Sequence, residues 1–437
     1  MTTTINVPYL TQFAKSVRSL SIDAINAANS GHPGLPLGCA EIGAYLYGHA
    51  MNHNPKNPNW FNRDRFILSA GHGSMLLYAC LYLTGYDISL EDIKQFRQLN
   101  TPTAGHPEYQ EVPGIEATTG PLGQGLAMAA GMALAHKRAS EQYDKANTGF
   151  ADATFYVLAG DGCLMEGISS EASSLAGHLQ LNNLIVIYDS NDICLDGPTT
   201  DCFTEDVAKR YEAYGWNTYT INGHSFAEID AAVTQAKASQ KPSLIIAKTT
   251  IGYGSPNRSG NSESHGKPLG NDESELTKAA LDIPLDQLFW VDDTVAAEKS
   301  NLMTRLMGLE DTWNQTHSNL QVPKNTPIDL SSFIEEISIK PDLATRASSS
   351  TVIQSISTKV PHIIGGSADL SCSDSTYIKQ SDHISAQHYT PQNIKYGVRE
   401  FAMAAMANGI ALHGVYYPFM GTFLTFSDYM KNAIRLG

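Results

Sequence analysis

Residues 155–193 read FYVLAGDGCLMEGISSEASSLAGHLQLNNLIVIYDSNDI. An apolar run at 155–159 breaks at Gly160-Asp161-Gly162. Ile168, Ala172, Leu175, Ala176 and Leu179 then fall on one helical face. A second apolar run at 184–187 leads into Tyr188-Asp189-Ser190-Asn191-Asp192-Ile193. Strand, turn, helix, strand is the crossover unit of a parallel sheet. It puts Asp161 and Asn191 at the carboxyl ends of two nearby strands, where open α/β sheets place ligands. The Asp161 carboxylate, the Asn191 amide oxygen and a backbone carbonyl near Ile193 would offer three oxygens to a hard cation such as Mg2+. Diphosphate oxygens and water would complete the shell. Gly160 and Gly162 would let the backbone approach a phosphate. The triplet also makes ordinary tight turns; the flanking strands and the Asn after the second one favour the cation.

Working outward, helical spacing at 10–29 ends at Ser30-Gly31-His32-Pro33-Gly34, and a second helix is expected over 40–51. Residues 65–69 read as a short buried strand stopping at Gly71-His72-Gly73. Histidine beside glycine recurs at His32, His72, His106, His178, His224, His265 and His413. Such a residue reads as a loop histidine, and loops at strand ends are where sites are built. Each one alone has an ordinary structural reading, and imidazole also shuttles protons near neutrality. Thr118-Thr119-Gly120-Pro121-Leu122-Gly123-Gln124-Gly125 precedes a small-residue helix over 126–139. Its glycines serve either close approach of a ligand or close packing of the helix.

Beyond Ile193 the pattern predicts a helix over 207–214, a buried strand at 244–247 and a long surface loop over 252–270 carrying His265. Residues 273–340 read as helical and polar, with the best linker candidate at 322–327. A second α/β pattern starts near Arg346. Ile363-Ile364-Gly365-Gly366-Ser367-Ala368-Asp369 reads as a strand into a turn, and Gly397-Val398-Arg399-Glu400 leads a helix over 401–412. An acid there is also favoured by the helix dipole alone.

The 437 residues exceed one domain. A formal net charge of −15 argues against a general nucleic-acid surface, though local Arg, Lys and His can still serve anionic substrates. The six cysteines include no C-x-x-C pair, no apolar run reaches membrane-spanning length, and no basic-then-apolar leader is visible. A cytoplasmic protein with free thiols, without membrane or nucleic-acid partners, is the expectation.

These motifs together resemble the transketolase family of thiamine-diphosphate enzymes. The match rests on Ser30-Gly31-His32-Pro33-Gly34, Ser69-Ala70-Gly71-His72-Gly73-Ser74, Thr119-Gly120-Pro121-Leu122-Gly123-Gln124-Gly125, Gly160-Asp161-Gly162-Cys163-Leu164-Met165-Glu166-Gly167, Ser264-His265-Gly266, Gly365-Gly366-Ser367-Ala368-Asp369-Leu370 and Gly397-Val398-Arg399-Glu400-Phe401. The resemblance implies an α/β fold: a parallel-sheet diphosphate-binding domain over 1–325, helices on both faces, then an incomplete pyrimidine-binding domain over 340–437. It implies reversible transfer of a two-carbon ketol group from a ketose phosphate to an aldose phosphate, in pentose phosphate metabolism. Asp161, Asn191 and the Ile193 carbonyl would hold Mg2+ or Ca2+. His72, Gly120, Pro121, Leu122, Gly162, Asn191 and His265 would line thiamine diphosphate. Glu400 would pair with its aminopyrimidine, and Phe426 would stack on that ring across a homodimer interface. His32, His106, His265, Arg346 and Ser373 would meet the sugar phosphate, with Glu400, His32 and His265 catalytic.

The chain departs from the family pattern in two places. Cys372 stands where the family usually has proline, and the C-terminal part of the family pattern is missing, which predicts an open sheet edge and exposed apolar surface. The alternative expectation is an inactive or partner-dependent cofactor-binding fragment, completed by a second chain. The remaining rivals are a 2-oxo acid dehydrogenase component and a deoxyxylulose phosphate synthase. The His32 and His72 loops with 120–125 speak against both.

Overall fold

The computed structural model describes residues 4–321, 331 and 337–437. The linker candidate at 322–327, and with it the expected domain boundary, lies outside the described residues. Among the described residues the strands are Arg65–Leu68 (β1), Phe155–Gly160 (β2), Leu184–Ser190 (β3), Ile193–Cys194 (β4), Gly197–Pro198 (β5), Asn217–Asn222 (β6), Ser243–Lys248 (β7), Ile363–Ser367 (β8), Asn393–Lys395 (β9) and Tyr417–Gly421 (β10).

The main sheet runs β1-β2-β3-β7-β6, all neighbours parallel. Its central strands β2 and β3 are buried almost throughout, as uninterrupted apolar runs require when helices cover both faces. The helix Gly167–His178 joins them, burying Ile168, Ala172, Leu175 and Ala176 as the periodicity predicts. The Gly-Asp-Gly triplet is no simple turn, because Gly160 caps a short helix, Asp161–Met165. β4 and β5 form a small antiparallel hairpin beside the cleft.

Several expectations are corrected. The predicted helix at 40–51 splits into Ala40–Tyr45 and a π-helical turn, Leu46–Ala50. Edge strand β6 and the helix Phe226–Lys237 were not foreseen. β6, NTYTIN, is half-exposed and lacks an apolar run, so its pattern is weak. The 252–270 loop lies at the surface as expected, but it is anchored at a few buried points. Ser255, Ser264 and Leu269 are buried, and the Gly252 amide donates to the Gly34 carbonyl at 3.0 Å.

The second sheet runs β10-β8-β9, also parallel. It docks through the helix Glu400–His413, which lies against the helix Gln124–Tyr143. A Cβ on Gly131 would sit 2.1 Å from the Met406 carbonyl oxygen, and one on Gly409 1.9 Å from that of Met128. The small residues of the first helix are therefore used for backbone-close helix packing. Buried Arg65 donates to the carbonyls of Leu412 and His413 at 3.2 and 3.1 Å, satisfying the helix's C-terminal carbonyls. Leu424, Tyr429 and Ile434 in the second domain stand 88, 65 and 52% exposed.

Candidate active site

β2 and β3 are direct neighbours, with Gly160 opposite Asp189 in register. Asp161 follows one strand and Asn191 the other, as expected, so both stand at the carboxyl end of the sheet. Asp161 is 4% exposed. Its Oδ1 accepts from the Tyr188 hydroxyl, while Oδ2 is buried with no hydrogen-bond partner. Burial, with Asp189 and Asp192 nearby, pushes its pKa up to about 7. A buried carboxylate oxygen without a donor, among other acids, is where a divalent cation is most stabilising. Asn191 Nδ2 donates to Asp189 at 2.9 Å, and its Oδ1 accepts from the Ile193 amide at 3.0 Å. Among the described residues no group of three or more His, Cys, Asp or Glu could hold a metal ion. One carboxylate, one amide and one carbonyl instead suit a hard cation that takes its remaining oxygens from a ligand.

A cavity of about 340 Å³ opens here, lined by Gly160, Asp161, Gly162, Asn191, Ile193, Leu122, His72 and His265, with Leu35 and Ile251 as apolar wall. A Cβ on Gly160 would meet nothing within 4 Å, so the backbone there faces open space. Gly120 lies against His106, 3.2 Å from where its Cβ would be, and Pro121 is exposed beside Leu122.

Four of the histidines predicted from glycine-flanked loops cluster here, His72 and His265 lining the cavity and His32 and His106 beside them. His72 sits in the 3-10 turn Gly71–Gly73, just after β1. His265 follows the 3-10 turn Ser262–Ser264, which is capped by Asn261. The His106 loop is pinned by Ser74 and Tyr78 hydroxyls donating to the Gly105 and Ala104 carbonyls, both at 2.9 Å. His32 lies 5.2, 6.2 and 5.8 Å, centroid to centroid, from His72, His106 and His265, and His72 stacks on His265 at 5.0 Å. His178, His224 and His413 lie elsewhere in the fold.

Sequence reasoning missed Arg97. Its Nη2 lies 3.3 Å from His32 Nδ1, and its Nη1 donates to the Ser30 hydroxyl at 2.9 Å. Guanidinium only donates, so His32 Nδ1 must accept and its proton sits on Nε2. Burial, then Arg97 and the neighbouring imidazoles, lowers His32 to about 4. Burial also drives His72 well down and lowers His106 and His265. The cluster is therefore neutral at pH 7. Arg97 could have been suspected only as a basic residue on an otherwise polar loop.

The second-domain candidates lie apart from this cavity, and none of them lines it. Glu400 opens the helix Glu400–His413, close enough to Glu171 to raise the latter's pKa, after burial. The Glu171 carboxylate accepts from the Ala402 amide at 2.9 Å. Phe426 stacks between Phe423 and Tyr429 at 6.2 and 6.4 Å. Arg346, on the helix Thr345–Lys359, and Ser373, in the short helix Ser371–Asp374, are both exposed.

Fold and site define a two-domain α/β protein whose strand-end cleft joins a buried, donor-less carboxylate oxygen to a cluster of neutral histidines. Residues 10–334 match the family described as transketolase, thiamine diphosphate binding domain, and residues 341–437 the transketolase pyrimidine binding domain. The chain belongs to the transketolase family. It is 47% identical over 435 residues to transketolase of Halalkalibacterium halodurans, covering 96% of this chain and 65% of that protein. With the Bacillus subtilis transketolase it shares 48% over 438 residues, covering 96% and 66%. Among solved structures, transketolase from Campylobacter jejuni superposes with a TM-score of 0.91 at 40% identity, covering 99% of this chain and 68% of that one. The Leishmania mexicana transketolase gives 0.93 at 36%, covering 98% and 66%. The chain thus spans about 65% of the length of the curated relatives it matches. No helix among the described residues is long and apolar enough to cross a membrane, and all six cysteines are free.

Proposed function

We propose that this chain carries out thiamine-diphosphate-dependent ketol transfer between sugar phosphates. The observation that carries the reading is one cavity joining the donor-less Asp161 oxygen and Asn191 to His72 and His265, with His32 beside them. Residues 1–325 would be the diphosphate-binding domain and 340–437 part of the pyrimidine-binding domain. Asp161, Asn191 and the Ile193 carbonyl would hold Mg2+ or Ca2+, and His72, Gly120, Pro121, Leu122, Gly162, Asn191 and His265 would line the diphosphate and thiazolium. The bound cofactor supplies the electron sink that lets a carbon–carbon bond beside a ketose carbonyl break.

The chain's own part is to orient and to move protons. His32, with its proton on Nε2, donates to a substrate oxygen, and neutral His265 does the same or accepts a proton. Glu400 holds a proton at the pyrimidine nitrogen, and Phe426 supplies a stacking face. Arg346 and Ser373 bind phosphate, the arginine through its planar fork, and His106 meets the sugar. Because these second-domain groups lie apart from the cavity, a second copy of the chain brings them to it in a homodimer. A cytoplasmic setting and pentose phosphate metabolism follow as expectations.

The same separation favours a second reading, a cofactor-binding chain that is catalytic only with a complementing chain. Purified chain, thiamine diphosphate and Mg2+, assayed for ketol transfer from a ketose phosphate to an aldose phosphate, separates the two. Transfer by the chain alone supports the first. Cofactor uptake with transfer only on complementation supports the second. No cofactor uptake contradicts both.

A further inference from the structure

We infer that Asp189 is a positioning residue that fixes the direction of the Asn191 amide and so aims its oxygen at the metal; this rests on the cation site proposed above. Asp189 is 1% exposed at the end of β3. Its Oδ2 accepts from Asn191 Nδ2 at 2.9 Å, and its Oδ1 from the Thr249 hydroxyl. Among the described residues no lysine or arginine forms an ion pair with it. Its partners are neutral donors, as suits a carboxylate used for its direction.

An ionised carboxylate only accepts hydrogen bonds, so the face of the Asn191 amide turned toward it must be the NH2. Oδ1 is thereby turned away, to where it already accepts from the amide of Ile193, whose carbonyl is the third oxygen proposed for the cation. The Ile193 N–H asks for the same orientation, so the carboxylate and the backbone donor hold the amide from its two ends. The same carboxylate reaches the first residue after β7 through Thr249. That segment continues through Ile251, on the cavity wall, toward the loop carrying His265. One buried group thus sets both a metal ligand and the start of the loop that closes the site. Groups that orient metal ligands in this way typically carry 10–100-fold in metal affinity.

The test is Mn2+ affinity of the full chain in excess thiamine diphosphate, read by electron paramagnetic resonance of free Mn2+. Asp189→Leu, which keeps the volume and removes both acceptors, should bind Mn2+ about 10–100-fold more weakly. The exchanged pair, Asp189→Asn with Asn191→Asp, remakes the bond with its polarity reversed and keeps an acceptor for Thr249. It should keep most of the affinity, and this comparison stands even where the leucine variant fails to fold. Wild-type affinity in Asp189→Leu, or loss of affinity in the exchanged pair, overturns the inference. Absence of Mn2+ uptake by the wild type instead removes the cation site itself, and is seen before any variant is made.

Discussion

Burial has moved the pKa values of Asp161 and His32 in opposite directions. The Asp161 pKa is raised to about 7, so the folded metal-free chain holds its proton where the unfolded chain has lost it. Its contribution to stability therefore declines as pH rises from about 4 to 7. Asp161→Asn should stabilise the metal-free chain at pH 8 by at most about 4 kcal/mol, at ~1.4 kcal/mol per unit, and so raise its melting temperature. It should also abolish the further rise that Mg2+ with thiamine diphosphate gives the wild type. A lower melting temperature for the variant would contradict this. His32 moves the other way. Its folded pKa of about 4 lies below the unfolded value, so its contribution is present above about 6.5 and is lost as pH falls through that window. His32→Asn should flatten the loss of thermal stability between pH 6.5 and 4. Arg97→Met should shift His32 upward, measurable by imidazole proton titration in NMR. Asp161 and Asn191 were legible because each follows a strong apolar run, and the loop histidines because each has a glycine beside it. Arg97 was not, since nothing local marks a cation whose role is to choose another residue's tautomer.

Among the elements, the β2–helix–β3 unit was readable because a doubly covered parallel strand shows as an unbroken apolar run, with Asp161 and Asn191 immediately after the two runs. β6 was not readable because an edge strand needs only one good face. The glycines of 120–125 had two explanations, and the structure divides them. Gly120 lies by His106, whereas a Cβ on Gly125 would sit 2.7 Å from Ser69 Cα just past β1, and further along the helix Gly131 lets the helix Glu400–His413 approach. Propensity alone would make Gly131→Ala stabilising by about 1 kcal/mol. The Met406 carbonyl 2.1 Å from the new methyl reverses that sign. Gly131→Ala and Gly409→Ala should each lower the urea midpoint, by about 1–3 kcal/mol of overpacking, and an unchanged or higher midpoint would contradict the packing described. The interface also holds a buried pair, His136 Nδ1 and His413 Nε2 at 3.0 Å. Because His136 Nε2 accepts from the Ala153 amide, the His136 proton must point at His413.

For the whole molecule, the two domains dock firmly, yet the second-domain candidates do not reach the first-domain cavity. The motifs were visible in sequence, but their placement depends on tertiary arrangement that no local pattern encodes. If a second copy completes the site, cofactor and Mg2+ should shift the sedimentation coefficient from that of a 47.3 kDa chain toward a dimer. The proposed function depends on Asp161 and Asn191, at adjacent strand ends, gripping one divalent ion and the diphosphate it holds. Isothermal titration of the chain with thiamine diphosphate, in Mg2+ and then in EDTA, with Asp161→Ala alongside, measures that grip. The expected result is uptake that needs the divalent ion and disappears in the variant while its fold is kept. Absence of uptake by the wild type, or equal uptake in EDTA, would contradict it.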